Sequence, residues 1–163
     1  MLIVGLGNPG KKYAESRHNA GHLVIDELET LRQAQDKRTD FVLAKTDAFM
    51  NLSGRSVRKL TKKYKLKTKN LIIVHDDIDL PLGEFKIQKG RGAAGHKGVQ
   101  SVIDELKTKD FWRIRIGIYP RTGKPKNVEK FVLQNFTKQE EKILEEVIKK
   151  VTEELDGGVK KYR

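Results

Sequence analysis

The 163-residue chain contains no cysteine and only four prolines. Without cysteine there is no disulfide framework, no Cys-ligated zinc site and no thiol nucleophile. Its apolar runs fall far short of the roughly 20 residues that a transmembrane helix needs. The first residues have no basic region and no small-residue cleavage site, so no signal peptide is expected. With no internal repeat and no Pro/Gly-rich linker, the chain is expected to be one cytoplasmic domain, 1–163, outside the membrane.

The chain is strongly basic. It has 34 Lys and Arg against 22 Asp and Glu, which gives a formal net charge of +12. Such a charge attracts polyanions, with nucleic acid as the leading candidate and a membrane surface as the second. The alternative is that the lysines only keep the protein in solution. The apolar fraction of 37% is patterned and predicts a folded core.

Strands alternate with helices along the chain. Strands are predicted at 2–6, 41–45, 71–74, 83–90 and 111–119, and helices at 22–31, 52–64, 99–106 and after Thr137, with a polar connection at 33–40. The last helix begins with a Thr137–Glu140 capping box and ends at Gly157. The strand at 83–90 follows its predecessor by a short turn and is expected to be antiparallel. The class is therefore α/β, with a mixed sheet.

A glycine pattern, Gly5, Gly7 and Gly10, follows the first strand. In a dinucleotide-binding turn, an apolar helical stripe begins directly after the last glycine. Here the next residues are the polar run KKYAESRHN, and the stripe begins only near Leu23. The acidic residue that should end a second strand lies in the predicted helix instead, as Asp26. This pattern does not favour a nucleotide site.

Polar side chains follow the first strand, at an edge where ligands usually bind in open α/β sheets. They are Asn8, Tyr13, Arg17, His18 and Asn19. The alternative for His18 and Asn19 is a turn and a helix cap. After the strand at 71–74 come Asp76, Asp77 and Asp79, which suit either a metal or the orientation of a histidine. The chain has no P-loop lysine signature beside them.

Other stretches also leave two interpretations open. Asn51 offers a donor and an acceptor for a water or an oxyanion, but it could equally be a helix N-cap, for which Ser53 competes. The glycine-rich loop 90–98, with Arg91, His96 and Lys97, suits phosphate or is a solvated turn. The basic run 62–69 suits a nucleic-acid backbone or is a solvated helix end. Arg115, on the polar face of its strand, is a candidate phosphate clamp.

Five ordered motifs resemble the bacterial-type peptidyl-tRNA hydrolases: VGLGNPGKKYAESRHNAG, FMNLSG, VHDDIDLPLG, GAAGHKG and RIRIGI. They cover most of the chain. The resemblance implies a monomeric, single-domain α/β fold with a twisted mixed sheet flanked by helices. It implies hydrolysis of the ester between a peptide and the 3′ end of tRNA, which recycles tRNA after ribosome drop-off. Neither a metal nor a cofactor is expected.

The resemblance also assigns roles to residues. His18 resembles the general base that activates a water, and Asp76 resembles the carboxylate that keeps it basic. Asn8 is similar to the residue that distinguishes N-blocked peptidyl-tRNA, and Asn51 to one that organises the ester. Contacts with the acceptor arm and 3′ end are expected from Tyr13, Phe49, Lys97, Arg115, Lys86, Lys89 and Arg91. Direct attack by water agrees with the absence of cysteine and of a G-x-S-x-G elbow.

The chain departs from the family pattern at Lys97, where the family normally has Asn. A lysine beside His18 would lower the pKa of the histidine. The segment between Glu29 and Phe41 and the C-terminal tail are shorter than usual, which is expected to change how peptide and acceptor arm are covered. The alternative is an RNA-binding relative impaired in catalysis. A nicotinamide-dependent oxidoreductase is a third interpretation, which predicts cofactor binding.

Overall fold

The computed structural model describes residues 1–35 and 41–162, which are built around a five-stranded sheet. The strands are β1 (Leu2–Gly5), β2 (Val42–Lys45), β3 (Leu71–Pro81), β4 (Phe85–Lys89) and β5 (Trp112–Tyr119). Their spatial order is β2-β1-β3-β5-β4. The first four strands in that order are parallel, whereas β4 runs antiparallel to β5. The predicted α/β class with a mixed sheet is confirmed.

Helices cover both faces of the sheet. They are α1 (Ala20–Gln35), α2 (Ser53–Lys63), α3 (Lys97–Leu106), α4 (Val128–Val132) and α5 (Lys138–Asp156). The first and last long helices, α1 and α5, pack on one face, and α2 and α3 pack on the other. As predicted, α5 begins with a capping box formed by Thr137 and Glu140 and ends at Gly157.

The continuous apolar run of β3 supplies both faces of the core. Ile72 and Val74 pack with α1 and α5, and Leu71 and Ile73 pack with α2 and α3. Because successive side chains of a strand point to opposite faces, one run fills two clusters. This burial on both faces explains why the strand has no polar alternation.

The glycines after β1 allow α1 to lie directly on the sheet. A Cβ at Gly5 would lie 2.2 Å from the carbonyl oxygen of Gly21, and a Cβ at Gly7 would lie 2.6 Å from the ring of His22. Gly10 has a φ of 97°, which favours glycine. Since α1 begins only at Ala20, these glycines shape a turn and a close contact, not the start of a nucleotide-binding helix.

The structure differs from the sequence-based prediction at several places. The strand predicted to end at Val74 continues through the acidic stretch to Pro81. The antiparallel β4 pairs with β5, which lies between it and β3. The short helix α4 was not predicted. Of the predicted connection at 33–40, residues 33–35 belong to α1 and 36–40 lie outside the described residues.

Within the described ranges, no helix combines the length and apolarity needed to cross a membrane.

Candidate active site

A cavity of about 720 Å³ opens beyond the carboxyl end of β1 and beside the middle of β3. Of the eleven residues predicted for the site, seven line this cavity: Asn8, Tyr13, His18, Phe49, Asn51, Asp76 and Lys97. The other four, Arg115, Lys86, Lys89 and Arg91, lie outside its lining. Because β1 and β3 are parallel neighbours, the loop after β1 comes to lie against the polar part of β3.

His18 and Asp76 form the closest polar pair of the cavity. The Nδ1 atom of His18 lies 3.0 Å from Oδ1 and 2.9 Å from Oδ2 of Asp76. Asp76 is buried, and the His18 side chain is 14% exposed. A carboxylate only accepts hydrogen bonds, so Nδ1 carries the hydrogen and Nε2 is left with a free lone pair. His18 is therefore held in the tautomer that a general base requires.

His96 is a second donor to the same carboxylate, which sequence reasoning missed. Its Nε2 lies 2.8 Å from Oδ1 of Asp76, and its Nδ1 accepts hydrogen bonds from the backbone N–H groups of Gly98 and Val99. His96 is therefore the N-cap of α3. Its position a few residues before the predicted helix at 99–106 was the available signal. The sequence suggested phosphate binding or a solvated turn for the loop that carries it.

The same geometry bears on metal binding. The ligand atoms of His18, Asp76 and His96 lie within 4.8 Å of one another. However, Nδ1 of His96 accepts two backbone hydrogen bonds, so its Nε2 must carry the hydrogen and cannot bind a metal at the same time. Among the described residues, Asp77 and Asp79 do not join this group of possible ligands, because Asp77 pairs with Arg115 and Asp79 with Lys124.

The pKa values of this pair follow from burial and charge together. Burial alone lowers the pKa of His18, but the charge and hydrogen bond of Asp76 outweigh it, so the pKa is raised above its ordinary value. Lys97 opposes this rise, as its sequence position predicted. Burial raises the pKa of Asp76, but the two histidines outweigh burial and hold it far below the usual range. Asp76 is thus a carboxylate throughout the physiological range.

Asn8 is held rigidly by backbone and side-chain contacts. Its backbone N–H donates to Oδ1 of Asn19 at 2.8 Å, and its backbone carbonyl accepts from Nδ2 of Asn19 at 2.9 Å. Its side-chain Oδ1 accepts from the N–H of Met50 at 2.8 Å. The remaining polar atom of the side chain is the Nδ2 donor, and Asn8 lines the cavity. Asn19 therefore clamps the loop that carries Asn8.

Asn51 lies in a single 3₁₀ turn, Met50–Leu52, between the aromatic Phe49 and α2. It is exposed to the cavity and does not cap α2, because Leu52 occupies the N-cap position without a side-chain hydrogen bond. The competing residue, Ser53, donates its hydroxyl to the Met50 carbonyl instead. The N-cap alternative for both residues is therefore wrong.

Tyr13 and Phe49 form an aromatic edge of the cavity. Their ring centroids are 6.3 Å apart and the rings are nearly perpendicular, at 85°. Phe49 is 53% exposed, which is unusual for a large hydrophobic side chain. Such a face suits the flat surface of a nucleobase.

Lys97 reaches across the mouth of the cavity. Its Nζ lies 2.5 Å from Oε1 of Glu129, at the start of α4. Both side chains are exposed and both line the cavity. The helix α4 thus forms a cavity wall, with Val128, Val132 and the exposed Leu133, that sequence reasoning did not find.

The other four cations predicted for the site lie on the strand pair β4–β5 or in the loop after β4. Lys86 faces Arg115 across the two strands, and Arg115 forms an ion pair with Asp77. Lys89 pairs with Asp110 at 3.1 Å, and Arg91 is exposed in the loop that follows. Arg115 is only 13% exposed, so this cluster presents mainly its lysines and Arg91 to solvent.

A family model described as peptidyl-tRNA hydrolase matches residues 2–162. A peptidyl-tRNA hydrolase from Desulfitobacterium hafniense is 42% identical, over 98% of this chain and 89% of the relative. One from Aquifex aeolicus is 43% identical, over 91% and 84%. The crystal structure of peptidyl-tRNA hydrolase from Acinetobacter baumannii superposes with a TM-score of 0.78 at 29% identity, covering 99% of this chain and 91% of that one.

Proposed function

The chain belongs to the peptidyl-tRNA hydrolase family, and we propose that it cleaves the ester between a peptide and the 3′ end of tRNA with His18 as general base. The observation that carries this assignment of roles is the hydrogen bond between Nδ1 of His18 and Asp76. It leaves Nε2 of His18 free to take a proton from a water in the cavity.

Water attack on the ester carbonyl produces a tetrahedral oxyanion, which needs hydrogen-bond donors. Asn8 and Asn51 are the donors that we assign to this task and to the peptide carbonyls. Asn8 is suited to discrimination because its oxygen is already occupied by the N–H of Met50. Its Nδ2 then donates to an acyl oxygen of an N-blocked peptide, whereas the cationic amine of a free aminoacyl-tRNA offers no acceptor.

The proton that His18 gains is returned to the departing 3′ oxygen of the tRNA. An alkoxide of a ribose is a better leaving group than an amine, so one base and neutral donors suffice. A covalent intermediate has little support, since the chain has no cysteine and the nearby Ser53 is buried with its hydroxyl bonded to a carbonyl. The impaired RNA-binding alternative has no support either, because the His18–Asp76 pair is assembled.

Substrate contacts divide by chemistry. We assign Tyr13 and Phe49 to the terminal adenosine, because their rings offer a stacking edge beside His18. Lys97 and the cluster of Arg115, Lys86, Lys89 and Arg91 are assigned to phosphates. We further propose that the protein is a single catalytic domain that acts as a monomer in the cytoplasm, where its substrate is formed.

The test is cleavage of N-acetylaminoacyl-tRNA by the wild-type protein, His18→Ala and His22→Asn. His22 lies outside the cavity lining, so its variant controls for loss of a histidine. We expect His18→Ala to lose roughly 10²–10⁴-fold in kcat/KM, and His22→Asn to remain near wild type. A wild-type protein as inert as His18→Ala would remove the enzymatic assignment, and tRNA binding by that protein would then support the RNA-binding alternative.

A further inference from the structure

The chain has a second concentration of positive charge that the proposed site does not use. Between Ala48 and Asn70 the sequence has no Asp or Glu and eight Lys or Arg. These eight residues are Arg55, Arg58, Lys59, Lys62, Lys63, Lys65, Lys67 and Lys69, and together they form what we term the α2 surface. They equal two-thirds of the net charge of +12, although the segment is a small part of the chain.

The whole α2 surface faces solvent. All eight cations are exposed, whereas Val57 on the other side of α2 is fully buried against the sheet. Arg55, Arg58, Lys59 and Lys62 surround a shallow groove of about 540 Å³. Among the described residues, the acidic side chain in the lining of that groove is Glu105, from α3.

Protein carboxylates neutralise only part of this surface. Glu105 pairs with Arg58 at 3.2 Å and reaches Arg55 at 4.0 Å, and Asp47 lies 3.7 Å from Lys59. Within residues 1–35 and 41–162, no ion pair is formed by the five lysines from Lys62 onwards. The surface therefore has unneutralised positive charge, which is costly to concentrate unless a polyanion is bound.

The α2 surface is continuous with the proposed active site. The turn that carries Asn51 leads directly into α2, which begins at Ser53. A helix of eleven residues is about 16 Å long, so the cations extend from the cavity over at least that distance. A nucleic acid strand whose end enters the cavity can therefore follow these charges.

We propose that the α2 surface binds the phosphodiester backbone of tRNA while the 3′ end occupies the cavity; this rests on the proposed function. A membrane fits less well, because an interfacial helix needs apolar side chains to insert. Among the described residues, the exposed large hydrophobic side chains are Phe49 and Leu133, and both lie in the cavity lining. An acidic protein partner also fits less well, since the exposed positions of α2 present no aromatic anchor.

Two variants with equal loss of charge test the proposal. The first carries Lys59→Gln, Lys62→Gln, Lys63→Gln and Lys67→Gln on the α2 surface. The control carries Lys138→Gln, Lys142→Gln, Lys149→Gln and Lys150→Gln on α5, where exposed lysines alternate with glutamates. Glutamine and lysine have similar helix propensities, so both variants should remain folded.

The first measurement is the Kd for deacylated tRNA at several salt concentrations. It is made for the α2 variant and the control, each in the wild-type background and in the His18→Ala background. We expect the α2 variant to weaken binding at least about tenfold and to reduce the salt slope by about one for each phosphate that it no longer neutralises. The control is expected to change Kd less than about threefold. The second measurement is kcat/KM for full-length N-acetylaminoacyl-tRNA and for N-acetylaminoacyl-CCA, where only the full-length substrate should respond to the α2 change.

Equal Kd values and salt slopes for the two variants would overturn the proposal. An equal drop in kcat/KM on full-length substrate and on the CCA trinucleotide would also overturn it, since the effect of the α2 variant would then arise in the cavity. So would an α2 variant that binds anionic vesicles more weakly than wild type but binds tRNA normally. These results are separable from failure of the proposed function. If wild type cleaves the substrate and the α2 variant binds tRNA as wild type does, only the α2 proposal fails. If wild type does not cleave, the Kd values for tRNA still test the α2 proposal.

Discussion

Two histidine rings donate to the carboxylate of Asp76, and this arrangement sets the chemistry of the cavity. His18 and Asp76 are 58 residues apart, so spacing alone left His18 open as a helix cap, and the motif resemblance suggested the pair. The sheet register, with Gly5 opposite Val74, brings them together. The donor His96 was missed because the glycine-rich loop that carries it was interpreted only as a phosphate site or a solvated turn.

Replacing Lys97 by Asn should raise the pKa of His18, because Lys97 is a positive charge that opposes protonation. The inflection of kcat/KM against pH should therefore move to higher pH, and KM for tRNA should rise because a cation is removed. Lys86→Gln, a change of equal charge outside the cavity, should leave the inflection in place. An inflection that stays or falls in Lys97→Asn would refute this role of Lys97.

Two substitutions of His96 separate its cap from its contact with Asp76. Asn can still cap α3, whereas Ala cannot, so His96→Ala should lose about 1 kcal/mol more unfolding free energy than His96→Asn. Both remove the hydrogen bond to Oδ1 of Asp76 and should lower kcat by roughly 10- to 100-fold through misplacement of His18. Urea unfolding and steady-state kinetics measure the two effects. Full activity in His96→Asn would show that the contact does not position Asp76.

At the scale of elements, Arg17 joins the turn that carries His18 to the start of α5. Its guanidinium lies 2.6 Å from Glu140, which also closes the capping box of that helix, and 4.2 Å from the ring centroid of Phe131. Its backbone N–H donates to the carbonyl of Gln134. The catalytic turn is thus supported by a helix pair far away in the sequence.

Arg17→Met should destabilise the fold by about 3 kcal/mol, because it leaves Glu140 without its partner in a largely buried position. It should also lower kcat by a larger factor than it changes KM, since the turn that carries His18 loses its support. Arg121→Met removes an exposed arginine and serves as the control. Chemical denaturation measures both variants, and a destabilisation no greater than that of the control would contradict the role of this ion pair.

The bounds of helices and strands were predictable where the apolar pattern reflects packing against the core. They were not predictable where buried polar side chains bind partners that are distant in the sequence. The capping box and stripe of α5 gave its position correctly. The end of β3 was placed at Val74 because the apolar run stops there. The strand continues because Asp76 and Asp77 are buried with partners on α3, β5 and the His18 turn. Strand order was likewise invisible, since β5 enters between β3 and β4 by a long connection.

At the scale of the whole molecule, the fold should lose stability on mild acidification. Burial lowers the pKa of His22 to about 4 and that of His75 well below its ordinary value. Between pH 6.5 and 4 the unfolded chain therefore binds protons that the folded chain does not. The free energy of unfolding consequently decreases as the pH is lowered. Each such proton contributes about 1.4 kcal/mol per pH unit. His18 acts oppositely, since its raised pKa gives a contribution that is lost only as pH rises through that value.

Urea midpoints at pH 7, 5.5 and 4 measure this slope. His22→Asn removes one of the two groups and should reduce the slope by about one proton over that range. A slope that is unchanged in His22→Asn, or a wild-type stability that is constant over this range, would contradict the burial of these rings in the neutral form.

The central claim is that His18, held by Asp76, is the base that activates water against peptidyl-tRNA. The most direct measurement is kcat/KM for N-acetylaminoacyl-tRNA against pH in the wild type and in Asp76→Asn. We predict that the wild-type rate rises through an inflection above about 6.5, because neutral His18 is active and Asp76 raises its pKa. In Asp76→Asn the inflection should move to lower pH and the plateau should fall by up to about 10⁴-fold. A flat wild-type profile, or one that Asp76→Asn leaves in place, would contradict the account.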